Sequence, residues 1–180
     1  NAADSVDTDA IADAYRSTEV RTGVDATREQ FFKDVEGRRI VHLTARTADN
    51  AGYPLLSRLL VADDPSRRHS GAILGAEIAQ RTLPHTGLVV IDETGAATNR
   101  GEGTLGLARA FVAAGVPAVL GTLPGTDEVA ARDLMIGFHH EMSNGISAEQ
   151  ALATVQRKAI QVNGRRLGAW SALVLYGSDR

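Results

Sequence analysis

Four short runs of apolar and β-branched residues constrain this chain most: Arg39 to Thr44, Gly87 to Asp92, Val116 to Leu123 and Ala172 to Gly177. Continuous apolar runs of strand length belong to strands covered on both faces, and such strands are mostly parallel. The segments between them are spaced like helices. Ala26 to Val35 opens on an acidic and polar turn, Leu105 to Ala114 stops at Gly115, and Asp127 to Met142 stops near Gly145. Ser147 stands three residues before Gln150, as in a capping box, and opens a helix running to about Gln161. Strands alternating with helices require right-handed crossovers, which predicts an α/β fold built on an open, doubly wound sheet. Tyr53 to Asp64 is less periodic. Leu55-Leu56 and Leu59-Leu60-Val61 read as a strand or hairpin that ends in the turn Asp63-Asp64-Pro65-Ser66.

At 180 residues the chain is expected to form one domain over 1–180, with residues 1 to about 6 fraying. Acidic residues number 22 against 19 basic ones, and the basic ones are scattered, with Arg38-Arg39, Arg67-Arg68 and Arg165-Arg166 as isolated pairs. A nucleic-acid partner would need a basic stripe and aromatic stacking platforms, and aromatics are only 4%. No apolar run reaches the roughly 18 residues of a membrane span. The absence of cysteine removes disulfides, thiolate metal sites and thiolate catalysis, and it suits a reducing, cytoplasmic compartment. Asn1-Ala2-Ala3-Asp4-Ser5 carries neither an initiator Met nor a signal pattern, so the chain reads as the C-terminal part of a longer protein. Lys33 and Lys158 are the only lysines in an Ala- and Arg-rich composition, as expected of a bacterial genome of high GC content.

The segment Leu88-Val89-Val90-Ile91-Asp92-Glu93-Thr94-Gly95, followed by Gly101-Glu102-Gly103 and the run Leu105 to Ala114, resembles the nucleophile region of CHAT domains. These are caspase-related (clan CD) modules usually found after helical repeats. Further segments resemble the family in the same order. Gly23-Val24-Asp25-Ala26-Thr27 with Phe31-Phe32 is similar to its first helix, and Val41-His42-Leu43-Thr44-Ala45-Arg46 to its first central strand. Pro54-Leu55-Leu56-Ser57 through Leu60-Val61-Ala62 and the helix Leu74 to Gln80 resemble its outer strand and following helix. Ala151-Leu152 and Trp170 to Gly177 resemble its closing helix and last strand. The resemblance implies a caspase-like three-layer sandwich, with a mostly parallel central sheet and helices on both faces.

It also implies a cysteine before Glu-Thr-Gly and a histidine-glycine pair at the end of the first central strand. Asp92 stands at the first place, and Arg46 and Thr47 stand at the other two. A carboxylate is a poor nucleophile toward an amide, and a guanidinium with a pKa above about 12 is no general base at neutral pH. The chain is therefore expected to be a pseudo-peptidase with no catalytic residues. Loops that follow neighbouring strands meet outside their carboxyl ends, so Arg46 and Asp92 either pair across the cleft or point separately into solvent.

The remaining constellations are weaker. Gly101-Glu102-Gly103-Thr104-Leu105-Gly106 has the spacing of a dinucleotide loop but does not follow its strand directly. The same glycines also permit a tight loop and close helix packing. His139-His140-Glu141 places adjacent histidines about 100° apart on a helix, which suits surface or partly packed roles and not a shared metal. His42 reads as a hydrogen-bonded core histidine, while His69 and His85 fall in loops without ligand spacing. No metal or cofactor is expected, and no G-x-S-x-G elbow occurs. The resulting expectation is a protein- or peptide-binding regulatory module with an upstream helical-repeat region and no nucleic-acid or membrane partner. Its binding residues would be Arg46, Thr47, Asp92, Glu93, Thr94 and Gly95, or an exposed sheet edge would serve. The alternatives are a residual hydrolase using Asp92 or Glu93 with water, and a nucleotide binder using the 101–106 loop.

Overall fold

The computed structural model describes residues 2–50, 52–63, 71–93, 103–123, 126–163 and 170–178. In chain order the elements are α1 (Ala2–Asp13), α2 (Arg28–Val35), β1 (Ile40–Ala45), β2 (Thr47–Ala48), β3 (Arg58–Leu60), β4 (Ala72–Leu74) and α3 (Gly75–Ala79). They continue with β5 (Leu88–Glu93), α4 (Gly103–Ala113), β6 (Ala118–Thr122), α5 (Glu128–Ser143), α6 (Ala148–Asn163) and β7 (Leu173–Gly177). β1, β5, β6 and β7 form one sheet in that order; the first three are parallel and β7 runs antiparallel to β6. All four expected strands are present, and the sheet is mostly parallel as predicted.

Strand β5 shows why this sheet has helices on both faces. Leu88, Val89, Val90 and Ile91 are all at most 2% exposed, so neither side of the strand meets water. Leu88 and Val90 pack with Ile11 of α1, Leu134, Met135 and Phe138 of α5, and Ala151, Leu152 and Val155 of α6. Val89 and Ile91 pack with Phe32 and Val35 of α2, Ile78 of α3, and Leu107 and Phe111 of α4. Successive side chains of a strand point to opposite faces, so one apolar run serves two cores. Each fully buried side chain of this size contributes about 1.5–3 kcal/mol. The result is the three-layer sandwich that the resemblance implied.

Helix ends follow their sequence signals. The Asp127 carboxylate accepts from the Ala130 N–H at 3.0 Å ahead of α5, and the Ser147 hydroxyl accepts from the Gln150 N–H at 3.3 Å ahead of α6. After α4, Gly115 adopts φ +97° while Val116 N–H reaches the Phe111 carbonyl at 3.0 Å and Gly115 N–H that of Val112 at 3.0 Å. This pair of bonds is a Schellman motif, which needs the left-handed conformation glycine provides. Helix α1 starts at Ala2, inside the stretch expected to fray, and is anchored by Ile11.

The Tyr53 to Asp64 region differs from its reading as β throughout. Pro54–Leu56 is a 3-10 turn, with Leu55 and Leu56 45% and 44% exposed. Proline at the start of the turn fixes a helical φ, and Ser57 N–H closes it on the Pro54 carbonyl at 3.1 Å. Only Arg58–Leu60 is strand, the centre of a separate antiparallel sheet β2-β3-β4 whose Leu59 and Ile73 are buried in the α2/α3/α4 layer. Of the turn expected after it, Asp64, Pro65 and Ser66 lie outside the described residues, as does His69.

Candidate functional site

The site lies where β1 and β5 end. Thr44 pairs in register with Asp92, and Ala45 with Glu93, so both chains leave the sheet at one end. Arg46 and Thr47 follow at once, which brings the four described members of the expected cleft together; Thr94 and Gly95 lie outside the described residues. The Thr47 hydroxyl donates to the Glu93 carboxylate across the two strand ends.

Of the two arrangements open to Arg46 and Asp92, the ion pair does not form. Arg46 occupies the single-residue break between β1 and β2, where its carbonyl accepts from Leu60 N–H at 3.0 Å and commits the backbone to the small sheet. Its side chain is exposed and makes no ion pair among the described residues. Asp92 is engaged from within the sheet instead. The Thr122 hydroxyl at the end of β6 donates to Asp92 Oδ1 at 3.1 Å, and His42 Nε2 lies 3.9 Å from Oδ2. Asp92 remains accessible, its side chain 27% exposed against 15% for His42.

Behind His42 the polar contacts continue inward. His42 Nε2 is 3.0 Å from Thr44 Oγ1, His42 Nδ1 is 2.8 Å from His139 Nε2, and His139 Nδ1 is 2.8 Å from the Tyr15 hydroxyl. His42 is thus the hydrogen-bonded core histidine that was expected. His139 is a correction: it is 1% exposed, not a surface or partly packed residue, while its neighbour His140 faces solvent. Burial pushes His42 down to about 4, and burial together with the neighbouring His42 pushes His139 down to about 3. Both rings are therefore neutral near pH 7.

Thr44, Thr122, His139 and Tyr15 were not anticipated as neighbours of the site. A signal existed for two of them. His42 and Thr44 are two residues apart on β1 and share a face with their register partners Val90 and Asp92. His139 is four residues beyond Met135 and lies on the apolar stripe of α5 with Leu134 and Phe138. Tyr15 follows α1 without any local pattern.

Gly101 and Glu102 of the proposed nucleotide loop lie outside the described residues. Gly106 has a packing role, since a Cβ there would meet Ser57 Oγ at 2.6 Å and the Pro54 carbonyl at 2.9 Å. Among the described residues no group of three or more His, Asp or Glu side chains is placed to hold a metal ion. What the arrangement offers is a carboxylate hydrogen-bonded by a hydroxyl, with a neutral imidazole near it and an exposed guanidinium beside it. It can accept and donate hydrogen bonds, but it presents no thiol.

No curated protein is found to match the chain. The family model of the CHAT domain matches residues 2–178, with the strand carrying Asp92 and the strand leading to Arg46 inside the matched span. With a match of that extent and a caspase-like sandwich built from the same residues, the chain belongs to the CHAT domain family.

Proposed function

We propose that this CHAT domain is a catalytically degenerate module that binds a protein or peptide segment and regulates by that binding. The observation that carries the reading is the hydrogen bond from Thr122 to Asp92, with His42 3.9 Å away, at the mouth between β1 and β5. A side chain held there accepts hydrogen bonds from a ligand and does not attack an amide. Arg46, exposed and without an ion pair among the described residues, is available to carbonyl or carboxylate groups of the same ligand. Thr47, Glu93, Thr94 and Gly95 complete the proposed binding set. An extended peptide, with donors and acceptors at alternate positions, suits a surface offering both. An upstream helical-repeat region would supply the signal, and the partner would lie in the cytoplasm.

A displayed random-peptide library tests this reading. Selected peptides should bind the purified chain, with affinity at least tenfold lower for Arg46→Glu and Asp92→Ala, about 1.4 kcal/mol each. Peptides that bind all three proteins equally would refute the cleft as the binding site. Cleavage of a peptide pool that disappears in Asp92→Ala would replace the reading with the hydrolase alternative.

A further inference from the structure

A line of polar groups crosses the otherwise apolar layer between the central sheet and helices α1, α5 and α6. It runs from Tyr15, in the bend after α1, through His139 on α5 to His42 on β1, and ends against Thr44 and Asp92. Phe138 packs edge-on to His139 at 5.5 Å, and Ile11, Leu134 and Met135 are buried in the same layer. Burying two imidazoles costs stability unless their nitrogens are hydrogen-bonded, and here all four nitrogens have partners.

A neutral imidazole has one donor and one acceptor nitrogen, so two rings bonded in series run in one direction or the other. Fixing one proton fixes the rest. At the cleft end, the Asp92 carboxylate 3.9 Å from His42 Nε2 favours a proton on that nitrogen. His42 Nδ1 must then accept from His139 Nε2, and His139 Nδ1 must accept from Tyr15. At the far end, burial pushes the Tyr15 hydroxyl up to about 12, so it keeps its proton and can donate. The carboxylate end sets the direction, and Tyr15 can supply the donor that this direction requires.

We propose that Tyr15 is a positioning residue. By donating to His139 it fixes the His42 proton on Nε2, so that docking of the segment after α1 and the polarity of the cleft at Asp92 are one equilibrium. Without the Tyr15 hydroxyl the line can reverse. Thr44 then donates to His42 Nε2, His42 Nδ1 donates to His139, and a lone pair instead of a proton faces Asp92. The groups facing the two rings are Tyr15 after α1, Thr44 on β1 and Asp92 on β5, with Asp92 itself held by Thr122 on β6. Coupling between two sites is reciprocal, so whatever engages Asp92 alters the docking of Tyr15, and whatever draws away the segment after α1 alters Asp92.

Two-bond 1H–15N correlation spectra of histidine-labelled protein at neutral pH distinguish the two neutral tautomers and test the proposal. In the wild type both His42 and His139 should be protonated on Nε2. In Tyr15→Phe the His42 pattern should move to the Nδ1-protonated form or to a mixture, while Arg46→Ala leaves it unchanged. A wild-type His42 protonated on Nδ1, or a His42 pattern indifferent to Tyr15→Phe, would overturn the proposal. Should Tyr15→Phe not fold, Asp92→Ala supplies the reciprocal arm. Faster amide exchange across residues 11–17 is then expected, and unchanged exchange there rejects the coupling.

Discussion

The two faces of the central sheet are built by the same strands and held together by different means. Toward α2, α3 and α4 the sheet presents Val89, Ile91 and Val119 to Phe32, Leu107 and Phe111, so its own contacts with that layer are apolar. Toward α1, α5 and α6 it presents Leu88, Val90 and Leu120 together with His42, whose partners must occupy defined positions. Apolar packing is non-directional and falls off gradually when side chains change. Buried hydrogen bonds are directional, and a lost partner leaves a desolvated group behind. The first face tolerates adjustment, whereas the second specifies one arrangement and responds to protons.

Acid should separate the two faces most strongly. His42 and His139 have native values of about 4 and about 3, below the 6.5 of the unfolded chain, so on acidification the unfolded state takes up protons first. Stability is complete above about pH 7 and falls as pH drops from there toward 4, by on the order of 3 kcal/mol for each ring. Urea titrations at pH 7, 5 and 4 measure the slope, and His139→Gln should flatten it by about half. A flat profile in the wild type would mean that the rings are charged in the native state. On the other face, Phe111→Ala should cost about 3–5 kcal/mol at every one of these pH values, since Phe111 is fully buried among apolar neighbours.

Smaller effects sharpen the comparison at the edges. Gly106→Ala drives a Cβ to 2.6 Å from Ser57 Oγ, and overpacking of this kind should cost about 1–3 kcal/mol by thermal melting. Smallest is the surface pair in which Arg28 donates to Glu77 through two bonds of 2.7 and 2.6 Å. Arg28 and the Leu74 N–H hold the Glu77 carboxyl below the usual carboxylate range. Both side chains are about one-third exposed, so Glu77→Gln should cost less than about 1 kcal/mol and should matter least at high salt.

The central strands were legible because strands covered on both faces leave an unbroken apolar run, and Leu88 to Ile91 is such a run. The small sheet was not, because β2 and β4 have two and three residues and register no period. Pro54 turned Leu55-Leu56 out of the strand that their hydrophobicity indicated. At the candidate site, opposite charges at neighbouring strand ends pointed to an Arg46–Asp92 bond that does not form. A pairwise view of Arg46 and Asp92 omits Thr122, which reaches Asp92 from the third strand of the register. The buried role of His139 is masked in the sequence by adjacent His140, because on a helix the partners of a residue lie three and four positions away.

The alternation along β5 also limits how this sequence can change length. A residue inserted or deleted within Leu88 to Ile91 would exchange the roles of every later position in the strand, sending Asp92 toward Phe111 and an apolar side chain toward His42. Side-chain chemistry at position 92 can change without moving the strand, but length changes there must come in twos. The cleft can drift in chemistry far more readily than in frame.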